Sequence, residues 1–260
     1  MTKKTIAAAL LLMLWLVDGA SAACSDAYYN STRASRIAAI VAAMPTSATV
    51  IISNSHGESG YEPAYGQGNV LIDGHPVVFL GSAGATWQTF RDCFPWSAIA
   101  AKSPHNIVFQ GSINDAVTGQ CCNGATVNAD GTAAFAQVIM GAINAARAIV
   151  SSPVIATDPP PESAAGIDGY TNHAAARVVY YVATLCGGTC SWQAFGWSGS
   201  AITSPLQFID QYKLMAGGSC TGSDQSYVTP CVAAVGSTRD NVHFPHDGIT
   251  AMFNNLSSIP

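Results

Sequence analysis

The sequence predicts an α/β protein in which a central, mostly parallel sheet is the middle layer of a three-layer α/β/α sandwich. Two observations carry this. Short β-branched runs alternate with longer alanine-rich stretches of helical spacing, the order that a parallel sheet with crossover helices produces. Polar, glycine-bearing segments follow the runs, where the loops of such a sheet lie. Of the 260 residues 49% are apolar, enough to bury one sizeable core, and residues 23–260 are expected to form a single domain.

Residues 1–22 stand outside that fold. Lys3 and Lys4 precede an apolar run from Ile6 to Val17, and Ala20-Ser21-Ala22 places small residues where a signal would be cleaved. Asp18 closes the run short of the roughly 20 apolar residues of a membrane anchor, and no second apolar span follows. The expected product is secreted, extracellular or periplasmic.

In chain order, Ser35 to Met44 has helical spacing and stops at Pro45. Thr49 to Ser53 reads as a short buried strand, followed by a polar loop from Asn54 through Gly68. Further strands are expected at Pro76 to Leu80, Asn106 to Gln110, Pro153 to Thr157 and Trp192 to Trp197. Helical spacing marks Thr132 to Ser151, His173 to Leu185, Leu206 to Ala216 and Gly248 to Leu256. Pro159-Pro160-Pro161 belongs to a loop.

Composition excludes some functions. Ten Lys and Arg against 15 Asp and Glu give a charge of −5 with no basic stripe, which argues against nucleic-acid binding. There is no phosphate loop or dinucleotide fingerprint, and no cofactor is expected. Eight cysteines, Cys24, Cys93, Cys121, Cys122, Cys186, Cys190, Cys220 and Cys231, in an exported chain predict disulfides and no free thiol. Short spacing favours Cys186 with Cys190 and Cys220 with Cys231. That leaves Cys24, Cys93, Cys121 and Cys122 for two more bridges, in which the adjacent Cys121 and Cys122 are expected to have separate partners and not each other.

Chemistry in open α/β sheets gathers beyond the carboxyl ends of the strands. The first strand delivers Asn54-Ser55-His56-Gly57, the second Gly81-Ser82-Ala83-Gly84-Ala85-Thr86, and the third Gly111-Ser112-Ile113-Asn114-Asp115. Asp240-Asn241-Val242-His243 precedes the last expected helix. Ser55 alone reads as readily as a helix N-cap, and Asn114-Asp115 as a cap or Asx turn. Together they supply what acyl transfer needs: a hydroxyl, an imidazole to take its proton, a carboxylate to orient the imidazole, and amide donors for an oxyanion.

On these four blocks, from Thr49 to the last helix, the sequence resembles the SGNH, or GDSL-like, hydrolase superfamily of secreted esterases. The resemblance implies a flavodoxin-like fold and an ester-bearing substrate. It makes Ser55 the nucleophile and Asp240 and His243 its acid–base partners. The backbone N–H groups of Ser55 and Gly84 and the Asn114 side chain would form the oxyanion hole. Ser53-Asn54-Ser55 stands where Gly-Asp-Ser is usual, so Asn54 brings the shape of the usual aspartate without its charge.

Other motifs are incomplete. Gly196-Trp197-Ser198-Gly199-Ser200 lacks the glycine two after the serine of a nucleophile elbow. His56-Gly57-Glu58 has deaminase spacing without the Pro-Cys-x-x-Cys that would complete a zinc site. His243-Phe244-Pro245-His246-Asp247 lacks a paired glutamate, so no metal site is expected. His75, His105 and His173 show no recognisable partners. Tyr61 and Tyr65 lie near Ser55 in a loop, and no long apolar helix marks a lipase lid. The expected substrate is a short-chain or acetyl ester of a carbohydrate or small alcohol. A catalytically degenerate carbohydrate-binding protein on the same fold and an acyltransferase to sugar hydroxyls are the alternatives.

Overall fold

Six strands, β1 (Thr49–Ser53), β2 (Leu71–Ile72), β3 (His75–Gly81), β4 (Asn106–Gln110), β5 (Val154–Ala156) and β6 (Gln207–Ile209), form one sheet ordered β2-β3-β1-β4-β5-β6. These come from a computed structural model, which describes residues 24, 29–58, 71–117, 129–151, 153–158, 179, 182, 207–209 and 211–215. Every neighbouring pair is parallel except β2 with β3. Leaving β2 aside, the parallel strands follow the flavodoxin-like order. The chain leaves β1 for β3 on one side and returns past β1 to β4 on the other. The winding therefore reverses between β1 and β4, which opens a crevice at their carboxyl ends.

The sheet is the middle layer because both faces of its central strands are apolar and sealed. Val50 and Ile52 of β1 and Ile107 and Phe109 of β4 enter one cluster, while Ile51 and Val108 enter the other, and all six are fully buried. Strands covered on both faces read as continuous β-branched runs, as Thr49-Val50-Ile51-Ile52 does.

The helices are α1 (Ser31–Ala43), α2 (Trp87–Asp92), α3 (Trp96–Ala100), α4 (Ile113–Val117), α5 (Ala129–Arg147) and α6 (Gln211–Leu214). α1 begins four residues before the expected start, because the Asn30 side chain accepts a hydrogen bond from Arg33 N and so caps the first turn. α2 begins in a capping box formed by Thr86 and Thr89. Ile37 and Val41 of α1, Trp87 and Phe90 of α2, and Phe135, Ile139 and Ile143 of α5 fill the first cluster. α2 and α3, like the β2–β3 hairpin, were not anticipated from spacing. The hairpin turns on Asp73-Gly74, both at positive φ (49° and 76°), the Asp-Gly chemistry of a two-residue type I′ turn.

The expected helix from Leu206 to Ala216 is corrected. Gln207–Ile209 is the sixth strand, in parallel register with Val154–Ala156, and helix follows only at Gln211–Leu214. A short apolar run fits either periodicity, and here pairing with β5 decides. Of the helix expected at His173 to Leu185, Val179 and Val182 are described, both helical and buried. The strand expected at Trp192 to Trp197, the helix at Gly248 to Leu256 and residues 1–22 lie outside the described residues.

Cys24 and Cys93 form a disulfide, their Cα atoms 4.9 Å apart, which corrects the expectation that they pair separately with Cys121 and Cys122 and ties the segment before α1 to the end of α2. Cys121, Cys122, Cys186, Cys190, Cys220 and Cys231 lie outside the described residues. The Cys24–Cys93 bond spans a sequence separation of 69, for which chain-entropy reasoning gives about 4 kcal/mol of stabilisation. C24S and C93S should therefore lower the urea midpoint by similar amounts, and the double variant by no more than either. Additive losses would show that the two sulfurs act separately.

Candidate active site

Ser55 follows β1 directly and stands beside the crevice. Asn54 leaves the strand, and its Oδ1 accepts from His56 N at 3.0 Å, which starts a single 3₁₀ turn over Ser55–Gly57. Ser55, His56 and Gly57 are all buried. The turn lies against the end of β3: a Cβ on Gly81 would sit 2.1 Å from the Gly57 carbonyl carbon. Only glycine permits that approach. Ser82 N donates to Ser53 O at 3.0 Å, so the loop after β3 is held to the end of β1.

That loop carries Gly84. It turns through Ser82–Ala85, closed by Ala85 N donating to Ser82 O at 2.9 Å, with Gly84 at φ 79°, the left-handed value favoured at the third position of a type II turn. Polar groups clamp it from both sides. On one side the Glu58 carboxylate, just past the serine turn, accepts from Ala83 N and from Arg36. Arg36 also donates to Gly81 O at 2.8 Å. On the other side Asn114, the second residue of α4, donates from Nδ2 to Ala85 O at 3.0 Å. Asp115 reaches across to accept from Trp87 N at 3.0 Å, binding the start of α2 to α4. It therefore serves a neighbouring helix and not an Asx turn of its own.

The loops that carry Ser55, Gly84 and Asn114 are therefore hydrogen-bonded to one another at three strand ends. Asp240 and His243 lie outside the described residues. The structure also reveals a residue that spacing did not single out. Asp158, two residues past β5, is fully buried. Its Oδ2 accepts from Asn54 Nδ2 at 2.6 Å, Ser112 N at 2.8 Å and Ile113 N at 2.9 Å, and its Oδ1 faces His56 Nδ1 at 3.3 Å. Burial pushes the Asp158 carboxyl pKa up. The bond from His56 and its charge, with the Ile113 and Ser112 amides, outweigh that and hold it below the usual carboxylate range. The one signal in the sequence was an acidic residue at a strand end before Pro159.

His56 Nδ1 lies 3.1 Å from Asn54 Oδ1 as well as facing Asp158. Between two acceptor oxygens it carries the proton. Glu58 points away toward Arg36, so His56 and Glu58 do not form a ligand pair. Among the described residues, no group of three or more His, Cys, Asp or Glu side chains could hold a metal ion. At the opposite end of the strands, His75 and His105 prove to be partners: their rings stack with centroids 3.5 Å apart, and His75 Nδ1 meets Ser47 O at 2.9 Å.

No protein-family model matches the chain, and no curated protein matches it. Among solved structures it is similar to an acetylxylan esterase from Geobacillus stearothermophilus, a catalytic mutant, at 12% identity over 82% of this chain and 94% of that one, with a TM-score of 0.48. It is also similar to a carbohydrate esterase family 3 protein from Talaromyces cellulolyticus at 13% identity over 81% and 94%, with a TM-score of 0.46. An alpha/beta hydrolase enzyme from the metagenome of Lake Arreo, Spain, matches at 13% identity over 82% and 94%, also with a TM-score of 0.46. At such identities the likeness concerns the fold alone, and the chemistry rests on the site's own geometry.

Two consequences can be measured. G81A forces the serine turn away from β3 and should lower the melting temperature, at a cost of about 1–3 kcal/mol; an unchanged melt would show that the two segments do not touch. Because the Asp158 pKa is lowered in the folded state, its stabilisation is complete above the ordinary carboxylate range and fades as pH falls through the lowered value. The stability gap between wild type and D158N should therefore narrow below about pH 4. A gap constant with pH would contradict an ionised Asp158.

Proposed function

We propose that the protein is a secreted serine esterase that hydrolyses short-chain, above all acetyl, esters of carbohydrates or small alcohols. One observation carries the proposal: the blocks bearing Ser55, Gly84 and Asn114 are hydrogen-bonded to one another at the reversal between β1 and β4. Ser53 O accepts from Ser82 N, Glu58 from Ala83 N, and Ala85 O from Asn114 Nδ2. Loops tied in this way support a serine served by amide donors, which acyl transfer requires. The Cys24–Cys93 disulfide supports an oxidising destination, and among the described residues no helix is long and apolar enough to cross a membrane.

In this mechanism Ser55 Oγ attacks the ester carbonyl carbon while the His243 imidazole takes the hydroxyl proton and Asp240 holds the ring in its tautomer. The oxyanion is met by the Ser55 and Gly84 N–H groups and by Asn114 Nδ2. Collapse breaks the bond to the alcohol, which leaves with the proton from His243. Water then loses a proton to the same ring, attacks the acyl carbon and releases the acid and Ser55. His56, with its side chain 1% exposed, is assigned to holding the turn and not to the base's role. Asn54, which stands where the resemblance has an aspartate, is accounted for by its bond to Asp158.

Purified mature protein should hydrolyse p-nitrophenyl acetate faster than long-chain esters. S55A should abolish turnover with little change in melting temperature, and a tenth of wild-type activity remaining would show that the nucleophile is misassigned. N114A should lower kcat about 10²- to 10³-fold with KM nearly unchanged; an effect confined to KM would contradict an oxyanion role. Wild-type activity should rise through the imidazole range near about pH 6.5. H243A should silence the enzyme and H246A should not, and the reverse pattern would overturn the assignment of the base.

A further inference from the structure

Asp158 Oδ2 accepts three hydrogen bonds, from Asn54 Nδ2, Ser112 N and Ile113 N, and His56 Nδ1 faces Oδ1 at 3.3 Å. A group with acceptors at both ends suits three donors on one oxygen and a ring N–H facing the other. Position 54 has the opposite requirement. It must donate to Asp158 and, from its other end, accept from His56 N and lie against His56 Nδ1–H. A side-chain amide satisfies that at any pH, a carboxyl only while it holds a proton. The two residues belong to different strand ends, 104 positions apart. Their partners are the residues on either side of Ser55 and the two residues before Asn114.

We propose that Asp158 and Asn54 are a matched positioning pair that fixes the turn carrying Ser55 to the segment carrying Asn114, and that this pair makes an amide, not the usual carboxylate, the compatible residue before the nucleophile. The proposal deepens the esterase reading and rests on it for the role of Ser55. Asp158 touches neither Ser55 Oγ nor the proposed oxyanion, so it acts through the backbone it holds. Among the described residues, His56 is the titratable group facing the pair. Asp115 is turned to Trp87 N, and Glu58 to Arg36 and Ala83.

The decisive variant is N54D, which sets a second carboxyl against Asp158 where 2.6 Å now separates amide from carboxylate. Two carboxyls that close share one proton. While the proton is held it donates in place of the amide and the turn keeps its position. When it leaves, repulsion opens the pair. N54D should therefore lose kcat on p-nitrophenyl acetate as pH rises, about tenfold per pH unit beyond the loss of that proton, with KM little changed, where wild-type activity rises. Its melting temperature should fall with pH in step. D158N, with a donor forced among donors, has no pH at which it is satisfied, and its kcat should be about 10²-fold lower throughout. If D158N does not fold, N54D still decides. An N54D profile that runs parallel to wild type in both kcat and melting temperature overturns the pair. Failure of the esterase reading is distinguishable: wild type would then hydrolyse no ester, or S55A would remain active, while the pH-dependent melt of N54D would still report on Asn54 and Asp158.

Discussion

A carboxylate withdrawn from water is costly unless its lone pairs are met, and the cost of leaving it unmet is several kcal/mol. Asp158 is withdrawn completely, and its donors come from the loops after β1 and β4 while it belongs to the loop after β5. Three strand ends that the chain visits at widely separated times are therefore brought to one point by one anion. If any of the three loops drifts, the anion loses a donor, so the geometry of the crevice and the stability of the fold are one requirement.

The topology explains why this point is available. A parallel sheet that winds first one way from β1 and then the other leaves neighbouring loops diverging between β1 and β4. Strands on either side supply short, glycine-bearing turns. Gly81 lets the serine turn press on β3, and Gly84 supplies the positive φ that reverses the next loop between two clamps. Trp87 fixes the far side: its backbone N–H is held by Asp115, and its indole donates to Gly111 O at 2.8 Å. The loops are thus braced by side chains from the opposite loop more than by their own.

What was legible in the sequence was what short-range chemistry writes there. The β-branched runs of β1 and β4 are nearly continuous because both faces are buried, and they were located to the residue. The blocks around Ser55, Gly84 and Asn114 were legible because each lies immediately past a strand. α2 and α3 were missed because helices of six and five residues hold too little periodicity, and β6 was read as helix because three paired residues declare themselves only against β5. Asp158 was passed over for the same reason. Its meaning lies in three donors, the nearest of them 45 residues away in the chain, and no local pattern encodes that. The Asn54 departure looked like a lost charge when only its neighbours were in view, and like a required amide once its partner was.

Charged residues are scarce in this chain, only 10% of it, so their placement is informative. Of the four ion pairs among the described residues, Arg33–Glu58, Arg36–Glu58, His56–Asp158 and Arg91–Asp92, three involve Glu58 or Asp158. Exposed pairs contribute little to stability. Glu58 and Asp158 instead sit on opposite sides of the serine turn, one largely and one wholly buried, and each accepts backbone N–H groups of a neighbouring loop. A carboxylate accepting backbone amides fixes those amides in direction as well as distance, because charge-assisted bonds are short and strong. Glu58 and Asp158 thus orient the N–H-bearing loops beside the Ser55 turn, where direction matters most.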